Sequence, residues 1–150
     1  MAPVFEAYLA DLERALSSRD PPRLVLDGLV DRVLQDAKDP ATMALAWHFA
    51  SLSSVDPECE RLSSEWNATL VRGIAKLIER INPDFGAAGS VQFAVLLTSM
   101  ADGLSLQIRA GRGRAYARDF ETSFRTMVDF LLQQNPLMTG AKGSSRSARR

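Results

Sequence analysis

Residues 56–83 read DPECERLSSEWNATLVRGIAKLIERINP, and this stretch decides the fold class. Asp56 at an N-cap accepts a hydrogen bond from an otherwise orphan backbone amide, and Pro57 at the first helical position has no amide to waste. From there Leu62, Trp66, Leu70, Ile74, Leu77 and Ile81 return every three or four residues, the period of one helix face. Asn82-Pro83 then stops the helix, because proline lacks the amide and clashes with the preceding turn. The spacing predicts a helix over Pro57–Ile81, long enough to span a small domain.

The same Asp-Pro signal occurs at Asp20-Pro21 and Asp39-Pro40, so two further helices are expected to start there. The first of these buries Leu26, Leu29, Val30, Val33, Leu34 and Ala37 along one stripe. The other, over 41–53, is apolar nearly all round through Met43, Leu45, Trp47, Phe49 and Leu52, which predicts an interior position. Ahead of them, Phe5, Tyr8, Leu9, Leu12 and Leu16 mark a helix over roughly 3–18. Downstream, a Gly-containing loop over 84–89 leads to a fifth helix with almost no charge, ending near 110 at Gly111-Arg112-Gly113. A sixth helix over 114–134 carries Tyr116, Phe120, Phe124, Met127 and Leu131, with Val128, Phe130 and Leu132 broadening its stripe before Asn135-Pro136. No segment alternates apolar and polar residues, so strands are not expected and the fold class is all-α.

A chain of 150 residues fits one domain, and 46% hydrophobic with 24% charged residues places it in the globular range, away from wholesale disorder. The predicted domain covers 3–134. Residues 135–150 are rich in Gly, Ser, Lys and Arg and read as a disordered basic tail. Residues 1–60 carry 11 acids against 5 bases and residues 61–150 carry 7 against 13, so the halves are −6 and +6 while the total is zero. A neutral total gives no general pull toward nucleic acid, and this segment alone is not expected to bind DNA. The most apolar run, 91–108, approaches the length of a membrane span but holds Ser99, Asp102, Gly103 and Gln107, which favours a core helix. With no signal peptide and only Cys59, the expected home is cytoplasmic, without membrane association.

The residues that carry chemistry do not assemble into a catalytic site. His48 is the only histidine, which excludes a pair of imidazole ligands, and neither a metal nor a cofactor is expected. The glycines at 86, 89, 111 and 113 form no phosphate-binding fingerprint. No nucleophile stands at helical spacing from a base, so the chain is not expected to be an enzyme. Cys59, near a helix N-terminus, is either structural or a thiol with a lowered pKa.

Asp102 is an acid within an apolar helix and needs either a structural partner or a role as polar anchor in a ligand cavity. Met43, Trp47, Phe49, Trp66, Phe93 and Met100 are core residues or the lining of a binding cavity, and His48 is either a half-buried packing or hydrogen-bonding residue or a ligand contact. The fifth and sixth helices have more apolar girth than one small helical layer uses. Paired with a symmetry mate they make a four-helix interface. Leu97, Leu104, Ile108, Tyr116, Phe120, Phe124, Met127 and Leu131 are the residues expected at it.

The order of elements, and the wording of several of them, resembles the C-terminal domain of TetR-family transcriptional repressors. Val4-Phe5-Glu6-Ala7-Tyr8-Leu9 is similar to the helix that follows the DNA-binding headpiece in that family. Leu97-Thr98-Ser99-Met100-Ala101-Asp102-Gly103-Leu104 resembles the Ala/Asp-Gly-Leu segment of its penultimate helix. Phe120-Glu121-Thr122-Ser123-Phe124 and Val128-Asp129-Phe130-Leu131-Leu132 resemble its last helix. The resemblance implies a homodimer through the fifth and sixth helices. It also implies a cavity among the second to fifth for a small, largely apolar effector, whose occupancy shifts the first and fourth helices and so controls DNA binding by a headpiece. No helix-turn-helix headpiece is read within these 150 residues. A headless helical adaptor that docks another protein and takes no small ligand is the alternative.

Overall fold

A computed structural model describes the backbone of residues 2–109 and 113–134 and the side chains of 9–39, 41–108 and 119–133. The described residues form α1 (Ala2–Ser17), α2 (Pro22–Lys38), α3 (Pro40–Ser53), α4 (Pro57–Ile81), a 3₁₀ turn (Pro83–Phe85), α5 (Gly86–Arg109) and α6 (Gly113–Gln134), with no strand among them. The fold is all-α, as the periodicity predicts. The predicted tail over 135–150 lies outside the described residues.

Two of the three Asp-Pro pairs cap helices. Asp39 accepts from the amides of Ala41 (3.3 Å) and Thr42 (3.1 Å), and Asp56 accepts from the amide of Cys59 (2.9 Å). Asp20 does not. Pro21 is followed by a second proline, which forces Pro21 into an extended conformation (φ −53°, ψ 131°), so α2 starts at Pro22 with no side-chain cap. Asp20 instead accepts from the Ser18 hydroxyl at 2.5 Å.

The loop expected over 84–89 is shorter than the glycines suggest. Asn82 Oδ1 accepts from the Asp84 amide (3.1 Å), the 3₁₀ turn buries Phe85, and Gly86 at φ +60° redirects the chain straight into α5. Only a residue without Cβ adopts that conformation without strain.

α4 is the hub, packing against α1, α2, α3 and α5. Its buried stripe is Leu70, Gly73, Ile74, Ala75, Leu77 and Ile78, whereas Leu62 near its start is 43% exposed. A Cβ at Gly73 would stand 3.0 Å from Leu12 Cδ2 and 3.1 Å from Leu16 Cδ1, so the glycine sets how closely α1 lies on α4. Leu26, Val30, Leu34 and Ala37 of α2 and Phe93, Ala94, Leu97, Ala101 and Leu104 of α5 complete the core, joined by Phe124, Val128 and Leu132 of α6. Asn82 Nδ2 donates to the Leu132 carbonyl at 2.9 Å and ties the end of α4 to the end of α6.

α3 is not interior. Phe49 is buried, Met43, Leu45, Trp47 and Leu52 are half-buried, and Ala44, Ala46, His48 and Ala50 are exposed. An all-round apolar helix can lie on the surface when its outer face is mostly alanine. The stretch Pro83–Ile108 is long and apolar enough to cross a membrane by length and composition, and in this fold it packs along α2 and α4. Three of its hydroxyls turn inward on the helix itself: Thr98 donates to the Ala94 and Val95 carbonyls, Ser99 to Val95 and Ser105 to Ala101, at 2.8–3.1 Å.

Phe85 and Phe93 are each 1% exposed and meet edge to face with centroids 5.6 Å apart. Phe85→Ala and Phe93→Ala are each expected to cost about 3–5 kcal/mol in urea unfolding. The double variant should cost less than the sum by about 1 kcal/mol, the coupling of an aromatic pair.

Candidate functional site

Between α2, α3, α4 and α5 lies a cavity of about 380 Å³. Val33 and Asp36 of α2, Ala41, Thr42, Met43, Leu45 and Ala46 of α3, Trp66 of α4, and Ala101, Asp102 and Ser105 of α5 line it. Its volume falls within the range of small-molecule sites. The space comes from small side chains: Ala41, Ala46 and Ala101 stand where larger residues would fill the gap between helices. α3 forms the outer wall because Asp39 fixes its start and Ser53 Oγ bridges the Phe49 carbonyl (2.9 Å) and the Cys59 carbonyl (3.3 Å) at its end.

The polar groups of the lining are mostly committed. Thr42 Oγ1 donates to the Asp39 carboxylate, and Ser105 Oγ to the Ala101 carbonyl. Asp36 accepts from Arg32 Nε through both oxygens at 2.9 and 3.0 Å. Asp102, at the rim, keeps part of its surface in solvent, and partial desolvation pushes its carboxyl up from the ordinary value. No ion pair or hydrogen bond joins it to another described residue. Among the described residues no lysine or arginine lines the cavity, and the two charged groups that do are both carboxylates.

Of the residues singled out in the sequence, the structure brings Trp66 and Asp102 to the cavity. Trp47 is half-buried on α3 outside the lining, and His48 is exposed. Phe93 is in the core against Phe85, and Met100 packs on the core. The Cys59 thiol is pushed up, first by desolvation and then by the Asp56 carboxylate, the opposite of an activated thiol. Met43, read in the sequence as core or cavity lining, is at the cavity too, whereas the small lining residues carried no sequence signal, because alanines on α3 and α5 make a cavity only once those helices are packed.

The outer surface of α5 and α6 is a second candidate. Val91, Val95, Leu96 and Leu106 of α5 and Phe120, Met127 and Phe130 of α6 are 36–56% exposed in the single chain. Among the residues expected at a dimer interface, Phe120 and Met127 belong to this face, while Ile108 and Leu131 are half-buried. Leu97, Leu104 and Phe124 are buried within the chain itself. The side chain of Tyr116 lies outside the described residues.

A family model described as BetI-type transcriptional repressor, C-terminal, matches residues 22–133, from the start of α2 nearly to the end of α6. No curated protein and no solved structure matches the chain.

An acid whose folded-state pKa lies above its unfolded value penalises folding once it ionises, so stability falls as pH rises through the carboxylate range. Asp102→Asn is therefore expected to raise Tm at neutral pH, with the gain shrinking as pH falls below that range; calorimetry at about pH 3.5 and about pH 7 checks it. A neutral-pH Tm unchanged or lowered by Asp102→Asn would show that the carboxylate has a partner.

Proposed function

The chain belongs to the family of BetI-type transcriptional repressor C-terminal domains, and on that premise we propose that it is the effector-sensing, homodimerising part of a TetR-like repressor, binding a small, largely apolar ligand in the cavity between α2 and α5. The family is one of transcriptional regulators and not a class of enzymes. The observation that carries the reading is the cavity: about 380 Å³ of mainly hydrocarbon wall with one uncommitted carboxylate, Asp102, at its rim. Such a lining favours an apolar body by burial, and orients it through one donor group facing Asp102.

Sensing requires that the ligand prefer one packing of the helices over another, since equal affinity for both shifts nothing. α3 and the first half of α4 are the movable walls. α1 rests on α4 through Gly73, so a change in α4 is passed to α1, the helix that follows the headpiece in TetR-like repressors. DNA contact belongs to that headpiece in this reading, and the protein works in the cytoplasm, where its operator is. The exposed apolar face of α5 and α6 is the pairing surface, which two chains related by a two-fold axis would cover together.

The probe N-phenyl-1-naphthylamine is neutral, apolar, carries one N–H and brightens out of water. It is expected to bind with a Kd on the order of 10 μM, and Ala46→Trp, which adds bulk to the lining at an exposed position, should weaken it about tenfold or more. Binding that ignores Ala46→Trp would place the ligand elsewhere. For pairing, sedimentation is expected to show a dimer that Met127→Glu weakens about tenfold or more, because a charge is then desolvated at the seam. A chain that sediments as a monomer at micromolar concentration would overturn the pairing claim.

A further inference from the structure

α2 and α6 are each built as three parallel strips. At about 100° per residue, Leu26, Val30, Leu34 and Ala37 form the buried strip of α2. Val33 and Asp36, on one flank of that strip, reach the cavity. Arg23, Asp31 and Lys38 lie on the other flank, and each is ion-paired across to α6: Arg23 with Asp129, Asp31 with Arg125 and Lys38 with Glu121. On α6 the buried strip is Phe124, Val128 and Leu132. Its one flank holds Glu121, Arg125 and Asp129, and its other flank holds the exposed Phe120, Met127 and Phe130. From inside to outside the order is therefore cavity, α2, a ladder of three ion pairs, α6, and the exposed apolar face.

The ladder spans a gap. Close backbone packing of α6 is with α5, and between α2 and α6 a second cavity of about 320 Å³ is lined by Arg23, Asp27, Val30, Arg125, Val128 and Asp129. Dense apolar packing would lock the two helices, whereas long charged side chains across a gap let one helix roll about its buried strip while staying attached to the other. Single exposed pairs contribute little to stability, so three in register are better explained as holding α6 in position relative to α2.

We propose that this ladder couples filling of the ligand cavity to the position of α6, and so to the strength of pairing between two chains. The inference rests on the sensing and pairing reading above. A ligand pressing on Val33 and Asp36 turns α2 about Leu26, Val30 and Leu34; the ladder carries that turn to α6, whose far flank carries Phe120, Met127 and Phe130. Coupling between two sites is reciprocal, so dimerisation changes ligand affinity by the same factor.

The test uses the full chain and N-phenyl-1-naphthylamine, with the dimer dissociation constant measured by sedimentation with and without saturating probe. In the wild type the probe is expected to change that constant about fivefold or more. Asp31→Arg, which sets two arginines against each other, should cut the change to about twofold or less while the probe still binds, and Asp31→Arg with Arg125→Asp should restore it. Raising sodium chloride from about 50 mM to about 500 mM should weaken the coupling in the wild type, an arm that needs no variant and keeps the test decisive even if Asp31→Arg does not fold. Coupling that survives Asp31→Arg, that the exchanged pair does not restore, or that ignores salt overturns the ladder, as does probe binding and dimerisation with no coupling at all. Absence of probe binding or of a dimer in the wild type overturns instead the reading beneath it, and the ladder with it.

Discussion

Burial of the second half of α4 is the constraint on which the other elements depend. Leu77 and Ile78 are fully enclosed, and four helices are placed by covering that stripe. Each such side chain contributes roughly 1.5–3 kcal/mol by leaving water. Where the stripe runs on toward the N-terminus of α4 the covering thins: Leu70 is buried, Trp66 half-buried and Leu62 exposed. The candidate ligand cavity sits at this transition, with Trp66 as its α4 wall. The core is thus close-packed at one end of its central helix and open at the other, in one small domain.

Electrostatics divides the molecule in a similar way. Ion pairs at the surface join neighbouring turns, as in Arg61 with Glu58 and Glu65, or join helices, as along the seam of α2 and α6. Asp39 and Asp56 are held below their ordinary values, Asp39 mainly by the Thr42 hydroxyl and Asp56 mainly by the Cys59 amide, because each caps a helix. Asp102 moves the other way through desolvation alone. Among the described residues of that cavity's lining there is no cation to offset this cost, so Asp102 does not stabilise the fold as Asp39 and Asp56 do.

The fold was legible because helix starts, stops and the stripe of α4 are local signals. Asp39 and Asp56 cap as read, and only the double proline at Pro21-Pro22 displaced the third start. Faces were less legible than helices. α5 is apolar all round, so its sequence does not say which side meets α4 and which meets the outside; Leu97 and Leu104 turned inward while Val91, Val95 and Leu106 turned out. The cavity was least legible, since large aromatic residues attract attention in a sequence whereas this pocket exists through Ala41, Ala46 and Ala101. Trp66 and Asp102 were recognisable because each is unusual in its own helix; the alanines are unusual only in combination.

The hydroxyls of α5 have a consequence for the surface they belong to. Thr98 and Ser99 each spend their proton on a carbonyl one turn back, so what they show outward is largely methyl and methylene. A residue count scores them as polar interruptions of an apolar run, yet a surface that meets them strips away little bound water and forfeits no donor. If this face pairs as proposed, a partner helix would be accepted mainly for fitting between Val91, Val95 and Leu106, and the Asp102 carboxylate, on the same side of α5, is the polar group that it would have to accommodate.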